Sequence, residues 1–122
     1  VSFFGGPAWS FDEQRGQWYL HQFLPQQPDL NIRNEAVQKE IENTMRFWLQ
    51  EKKVDGFRID ALGFLFEEEN FRDEPLITKD KIENLNYPDL DHIYTFSIPE
   101  TFEILVEWRK LIEQIAREEN SE

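Results

Sequence analysis

An aspartate and an arginine separated by one residue are the side chains best placed to do chemistry. They lie in the run Asp55-Gly56-Phe57-Arg58-Ile59-Asp60-Ala61. Alternate side chains of an extended chain share a face, so the Arg58 guanidinium can keep the Asp60 carboxylate ionised and fix its direction. A sugar hydrolase that works through a covalent intermediate needs such a carboxylate as its nucleophile. Spacing alone, however, favours a simpler interpretation, a buried ion pair that only orients the end of a strand.

The segment around Asp60 has the pattern of a parallel β-strand. A short apolar run, residues 54–62, follows directly after a predicted helix, and such runs are typical of buried strands. Phe57 and Ile59 would face packed helices, while Arg58 and Asp60 would point inward. Catalytic groups of α/β barrels emerge from the carboxyl ends of the strands, which is where Asp60 lies.

Two helices flank this segment. The first is predicted over residues 35–52 with Asn34 as its N-cap, and the second over residues 99–118 with Pro99 in its first turn. The expected buried stripe of the first is Val37, Ile41, Met45, Trp48 and Leu49. That of the second is Leu105, Trp108, Ile112 and Ile115. Both helices are predicted because these apolar residues recur at helical spacing.

The remaining sequence predicts a hairpin and a long packed loop. Residues 8–11 and 17–23 flank a polar turn, which is typical of a β-hairpin, and residues 63–98 form the loop. A buried parallel strand needs neighbours on both sides, and a (β/α)₈ barrel takes ~250 residues. We therefore expect the 122 residues to be cut from a larger α/β domain.

Composition excludes several classes of protein. The net charge is −12, which disfavours binding to nucleic acid or to an anionic membrane surface. With 39% hydrophobic and 15% aromatic residues, the chain is not disordered by composition. The sequence has no cysteine, and no stretch approaches the ~20 apolar residues that span a bilayer.

Two motifs resemble those of a known family. The run 55–61 resembles the nucleophile strand of glycoside hydrolase family 13, the α-amylase family. Gln27-Pro28-Asp29-Leu30-Asn31 resembles the motif near the end of the domain inserted after the third barrel strand, in its oligo-1,6-glucosidase and α-glucosidase form. Further stretches, such as Tyr19-Leu20-His21-Gln22-Phe23 and Leu90-Asp91-His92-Ile93-Tyr94, resemble insect maltases. The resemblance covers essentially the whole chain.

The resemblance implies a fold and an activity. The fold is α/β, a fragment of a TIM (β/α)₈ barrel that carries the end of an inserted small β-containing domain. Residues 1–33 would end the inserted domain, and residues 34–122 would belong to the barrel. The activity implied is that of a retaining α-glucosidase, which releases terminal α-1,4-linked glucose from maltose-like oligosaccharides without an organic cofactor.

Site residues follow by matching positions in this sequence to the family's motifs. Asp60 matches the nucleophile and Arg58 the arginine that contacts it. Ala61, expected to border the substrate, resembles the residue of enzymes that prefer α-1,4 bonds. His21 could reach sugar hydroxyls or be a satisfied structural histidine. Asp29 and Asn31 match positions that support the active-site loops.

The same matching bears on metals. Gly63 and Phe64 stand where many α-amylases carry a Lys-His pair linked to substrate and calcium. We therefore expect no metal site within these residues. The resemblance leaves open a structural calcium elsewhere in the full protein.

The resemblance also bears on partners and location. The expected partner is a small oligosaccharide, with no nucleic acid and no membrane segment in the chain, and the expected location is secreted or on the extracellular face of the membrane. The family's general-acid glutamate would lie beyond residue 122, so the isolated chain should be inert. Two alternatives stay open: a non-catalytic relative, such as the heavy subunit of a heteromeric amino-acid transporter, and a pseudo-enzyme or partial gene product.

Overall fold

The computed structural model describes residues 1–80 and 83–119, which form two compact units. The first unit combines residues 1–30 with the described part of 68–95. The second combines residues 31–67 with the described residues from 96 to 119. Each unit is therefore built from two separate stretches of the sequence.

The first unit contains the predicted hairpin. Strands β1 (Trp9–Asp12) and β2 (Gln17–Leu20) pair antiparallel, with Trp9 opposite Leu20 and Asp12 opposite Gln17. The Asp12 carboxylate accepts hydrogen bonds from the backbone N–H groups of Gln14 and Arg15 in the turn. Gly16 ends the turn at φ 63°, a left-handed conformation that glycine adopts without steric cost. The hairpin prediction is confirmed.

The rest of the first unit is a packed loop with little regular structure. A bridge joins Leu76 to Leu90, and a single 3₁₀ turn covers Tyr87–Asp89. The Phe3 ring packs against Phe23 and Tyr87, with centroids 5.6 and 5.0 Å away. Side-chain packing, more than a backbone ladder, therefore holds this unit together.

The second unit is built on two helices. Helix α1 (Glu35–Arg46) continues through a π-helical turn over Phe47–Glu51, and helix α2 covers Pro99–Glu119. The Asn34 side chain accepts a 2.9 Å hydrogen bond from the Ala36 N–H, so it caps α1 as predicted. Both helices are confirmed, but the predicted buried stripe of α1 is wrong at Trp48, which is 44% exposed.

The core of the second unit lies between these helices and the segments beside them. Its buried members are Ile32, Met45, Leu49, Phe66, Ile98, Ile104, Trp108, Leu111 and Ile115. On α2 the predicted stripe is partly wrong: Ile104 and Leu111 are buried, whereas Leu105 and Ile112 only flank the core. Helical spacing cannot decide which residue is buried, because residues 104 and 105 are both apolar, and so are 111 and 112.

The predicted strand over residues 54–62 is absent. No residue of this segment is in a strand, and no described strand pairs with it. A strand is defined by hydrogen bonds to a neighbour, and the only sheet in the described residues is the hairpin. Phe57 and Ile59 nevertheless border a groove of about 370 Å³ with Trp48 and Trp108, so part of the expected helix-facing side is present.

Candidate active site

Asp60 and Arg58 form an ion pair at the surface of the second unit. Arg58 Nη2 lies 3.1 Å from Asp60 Oδ1, and the two side chains are 81% and 78% exposed. An exposed pair of this kind contributes at most ~1 kcal/mol to stability. In this chain the pair is therefore not a buried structural bridge.

A sharp change of backbone direction follows Asp60. Ala61 has φ 52° and ψ 27°, in the left-handed region that non-glycine residues seldom occupy. A 3₁₀ turn, Leu62–Phe64, begins at once, and its Phe64 N–H donates to the Ala61 carbonyl at 2.9 Å. Strained backbone of this kind persists only where the surrounding structure enforces it. The nucleophile candidate thus stands immediately before a fixed turn.

A second segment of the same unit packs against this turn. The Ser97 N–H donates a 2.7 Å hydrogen bond to the Gly63 carbonyl, and the Phe64 and Phe96 rings meet edge to face at 4.9 Å. No pattern in the sequence points to Phe96 or Ser97 as neighbours of this turn. The available signal was Gly63, since an isolated glycine in an apolar run can mark a close approach of backbone.

His21 lies in the first unit and is only 1% exposed. Ser10 Oγ is 2.9 Å from its Nε2, and the Phe23 carbonyl oxygen is 3.3 Å from its Nδ1. Because a carbonyl oxygen only accepts, Nδ1 donates to Phe23, and the Ser10 hydroxyl, which can both donate and accept, pairs with Nε2. With both nitrogens satisfied and almost no exposed surface, His21 has the environment of a structural histidine, and a sugar could not reach the ring in this arrangement.

Asp29 and Asn31 each bind backbone within their own unit. Asp29 Oδ2 accepts a 2.8 Å hydrogen bond from the Gln22 N–H, and Asn31 Oδ1 accepts one of 3.1 Å from the Arg33 N–H. Burial raises the pKa of Asp29, while the Gln22 hydrogen bond and His21 act in the opposite direction. The contacts of Asp29 and Asn31 therefore support loop structure. Of the predicted site residues, Arg58, Asp60 and Ala61 lie together.

Two further properties concern metals and membranes. Within residues 1–80 and 83–119, no three histidine, aspartate or glutamate side chains are grouped so that they could hold a metal ion. In the same residues, no helix combines the length and apolarity needed to cross a bilayer.

Comparisons with known proteins cover nearly the whole chain. The family described as "Alpha amylase, catalytic domain" matches residues 1–120. An α-glucosidase of Culex pipiens is 46% identical over 118 residues, 97% of this chain and 20% of its own. A salivary α-glucosidase of Anopheles gambiae is 44% identical over 124 residues, 98% of this chain and 21% of its own.

A transporter subunit and a solved enzyme are also similar. The amino acid transporter heavy chain SLC3A1 of Rattus norvegicus is 41% identical over 120 residues, 97% of this chain and 17% of its own. The crystal structure of XgtA, an α-glucosyl transfer enzyme, superposes with a TM-score of 0.82 at 38% identity, covering 94% of this chain and 22% of that one.

These matches show which kind of domain the chain comes from. The chain spans about a fifth of the length of the curated relatives it matches. Its solved neighbours are barrel enzymes, so the chain is a fragment of a TIM barrel. The chain belongs to the α-amylase catalytic-domain family.

Proposed function

We propose that the complete protein is a retaining α-glucosidase with Asp60 as its nucleophile. The observation that carries the proposal is the contact of Arg58 Nη2 with Asp60 Oδ1 at 3.1 Å, just before the left-handed Ala61. Two similar proteins are named α-glucosidases. The ion pair supplies what a nucleophile needs, a negative charge and a fixed direction.

The proposed chemistry has two steps. Asp60 attacks the anomeric carbon, the glycosidic bond breaks, and a covalent glycosyl-enzyme forms while a second carboxylic acid protonates the leaving oxygen. Water, deprotonated by that second carboxylate, then attacks the anomeric carbon and frees Asp60. In retaining enzymes the two carboxyl groups stand roughly 5–5.5 Å apart. We place the second group in the part of the protein that follows these residues.

The proposed substrate is a small maltose-like oligosaccharide with a terminal α-1,4-linked glucose. Ala61 is next to Asp60 and carries the smallest side chain that still has a Cβ atom, so it leaves space beside the nucleophile. The family resemblance associates alanine at this position with α-1,4 specificity. No organic cofactor takes part in this scheme, because two carboxyl groups suffice.

We also propose the larger architecture and the location. Residues 1–33 would close an inserted small domain, and residues 34–122 would belong to the barrel. There, residues 54–62 would become a strand once neighbouring strands supply hydrogen bonds. A secreted protein or the outer face of a membrane is the proposed location, since one similar α-glucosidase is called salivary.

The alternative is a non-catalytic subunit like the transporter heavy chain, at 41% identity. An acidic side chain on the strand after α2 separates the two functions. Its presence 5–5.5 Å from Asp60, the separation of a retaining enzyme, supports the glucosidase, and its absence supports the subunit. The Arg58–Asp60 ion pair favours the enzyme, because a subunit without catalysis has no need of an oriented carboxylate.

Replacing Asp60 by asparagine tests the proposal in the complete protein. Asp60→Asn removes the nucleophilic charge at nearly constant volume, so kcat for maltose should fall by several orders of magnitude with the fold intact. Asp73→Asn, the same change at an exposed aspartate, is the matched control and should keep normal kcat. Activity retained by Asp60→Asn would remove Asp60 from the nucleophile role.

A further inference from the structure

We propose that Gly63 is a positioning residue for Asp60, acting through the space that its missing side chain leaves for Phe96. This inference rests on the proposed function, because it needs Asp60 to be the nucleophile. The resemblance treats Gly63 only as a position where other amylases carry lysine. The structure points to a mechanical role that depends on the absence of a Cβ atom.

The space beside Gly63 is filled by two consecutive residues. A methyl group on Gly63 would lie 2.5 Å from Phe96 Cε2, 2.8 Å from Phe96 Cζ and 2.9 Å from Ser97 Oγ. All three separations are far below the 3.5–4.0 Å at which carbon atoms pack favourably. A larger residue at position 63 therefore requires a shift of the Phe96 ring and the Ser97 hydroxyl, of the turn, or of both.

The 96–97 segment is held against the turn by its own contacts. Ser97 donates its N–H to the Gly63 carbonyl at 2.7 Å while its own φ is 54°. The Phe96 ring meets Phe64 edge to face, with centroids 4.9 Å apart. Displacing the segment would break this hydrogen bond and this ring contact together, so much of the strain should pass into the turn.

The turn transmits that strain to Asp60. Gly63 is the middle residue of the 3₁₀ turn, and the turn closes through the hydrogen bond from the Phe64 N–H to the Ala61 carbonyl. Ala61 already occupies a strained left-handed conformation next to Asp60. A shift at Gly63 therefore changes the direction of the carboxylate. A misplacement of ~1 Å at a reacting group can cost ~100-fold in rate.

Movement of the Phe96 ring is the competing outcome. The residue is 45% exposed, so the ring could turn into solvent and leave the turn in place. In that case Gly63→Ala would lose the ring contact without disturbing Asp60. Kinetics of the complete protein separate the two outcomes.

The test is a double-mutant cycle in the complete protein. The variants are Gly63→Ala, Phe96→Ala and the double variant Gly63→Ala/Phe96→Ala. The matched control is Gly63→Ala/Phe102→Ala. Phe102 lies on α2 and is 55% exposed, and none of its atoms is among those nearest to Gly63. For each variant, kcat and KM for maltose are measured per active site, counted by covalent titration, together with the melting temperature.

The proposal predicts a specific rescue. Gly63→Ala should lower kcat by about 10- to 100-fold with KM changed less than about threefold. Adding Phe96→Ala should restore most of the loss, and adding Phe102→Ala should restore none. The proposal is overturned if Gly63→Ala keeps normal kcat per active site and only melts earlier, or if both double variants behave alike. If the unmodified protein forms no covalent adduct at Asp60, the proposed function itself fails.

Discussion

Asp60 and Arg58 form an exposed ion pair immediately before a constrained turn of the backbone. Both side chains are mostly exposed, so water screens their attraction and little stability is gained. What constrains Asp60 is the backbone after it, where Ala61 is left-handed and Gly63 is packed against Phe96. Since a misdirected reacting group is costly in rate, we expect backbone constraint to matter more than pair strength at this site.

Asp29 provides a prediction at the same scale. Burial raises the pKa of Asp29, so the folded protein keeps the proton to higher pH than the unfolded chain. The resulting contribution to stability is present below the ordinary aspartate pKa of 3.8 and is lost over the pH range above it. Asp29→Asn keeps an oxygen acceptor for the Gln22 N–H but cannot ionise. The melting temperature of the wild-type protein should therefore fall relative to the variant over that range.

The comparison of the two melting curves isolates Asp29. Groups whose pKa is lowered on folding, such as Glu68 and Glu113, act in the opposite direction, but they are present in both proteins and cancel. A difference in melting temperature that stays constant from pH 4 to 6 would contradict the raised pKa.

Among the elements, those with local signals could be predicted and the strand could not. The hairpin is specified by its turn residues, with Gly16 at φ 63°, and α1 by its cap and its apolar spacing. Residues 54–62 lack such a local cause, because a strand exists only when a neighbour completes its hydrogen bonds. The described residues contain no partner strand for this segment, so its apolar pattern alone does not produce a strand.

At the candidate site, too, the sequence identifies residues that are close in the chain and misses those brought near by folding. Asp60, Arg58 and Ala61 could be identified because they are contiguous in one motif. Phe96 and Ser97 could not, since their role comes from a contact across more than 30 residues of sequence. The sequence shows that His21 belongs to the maltase-like run 19–23. It does not show that the ring is buried and hydrogen-bonded to Ser10 and Phe23, because tertiary packing determines both.

The N-cap of α1 gives a prediction at the element scale. Asn34→Ala removes the acceptor of the Ala36 N–H bond and should destabilise the first turn by about 1 kcal/mol, or roughly fivefold in amide protection. Asn43→Ala makes the same change at an exposed position of α1 and is the control. Hydrogen exchange of the first-turn amides in the complete protein measures both. Equal protection in the two variants would mean that Asn34 is not a working cap.

At the scale of the whole molecule, this chain is a small part of a barrel. The chain spans about a fifth of the length of its relatives, and in the proposed scheme it carries one of the two carboxyl groups that a retaining mechanism uses. Asp60 lies in the second unit, immediately before a constrained turn of the same unit. The proposed activity therefore belongs to the complete protein, and the nucleophile role proposed for Asp60 has to be tested there.

Covalent trapping in the complete protein tests that claim most directly. A 5-fluoro-glucosyl fluoride of α configuration should form a long-lived adduct with the enzyme, because the electron-poor sugar slows hydrolysis of the intermediate. Proteolysis and mass spectrometry should then place one glycosyl group on Asp60. A glycosyl group on any other residue, or no adduct while maltose is still hydrolysed, would contradict the account.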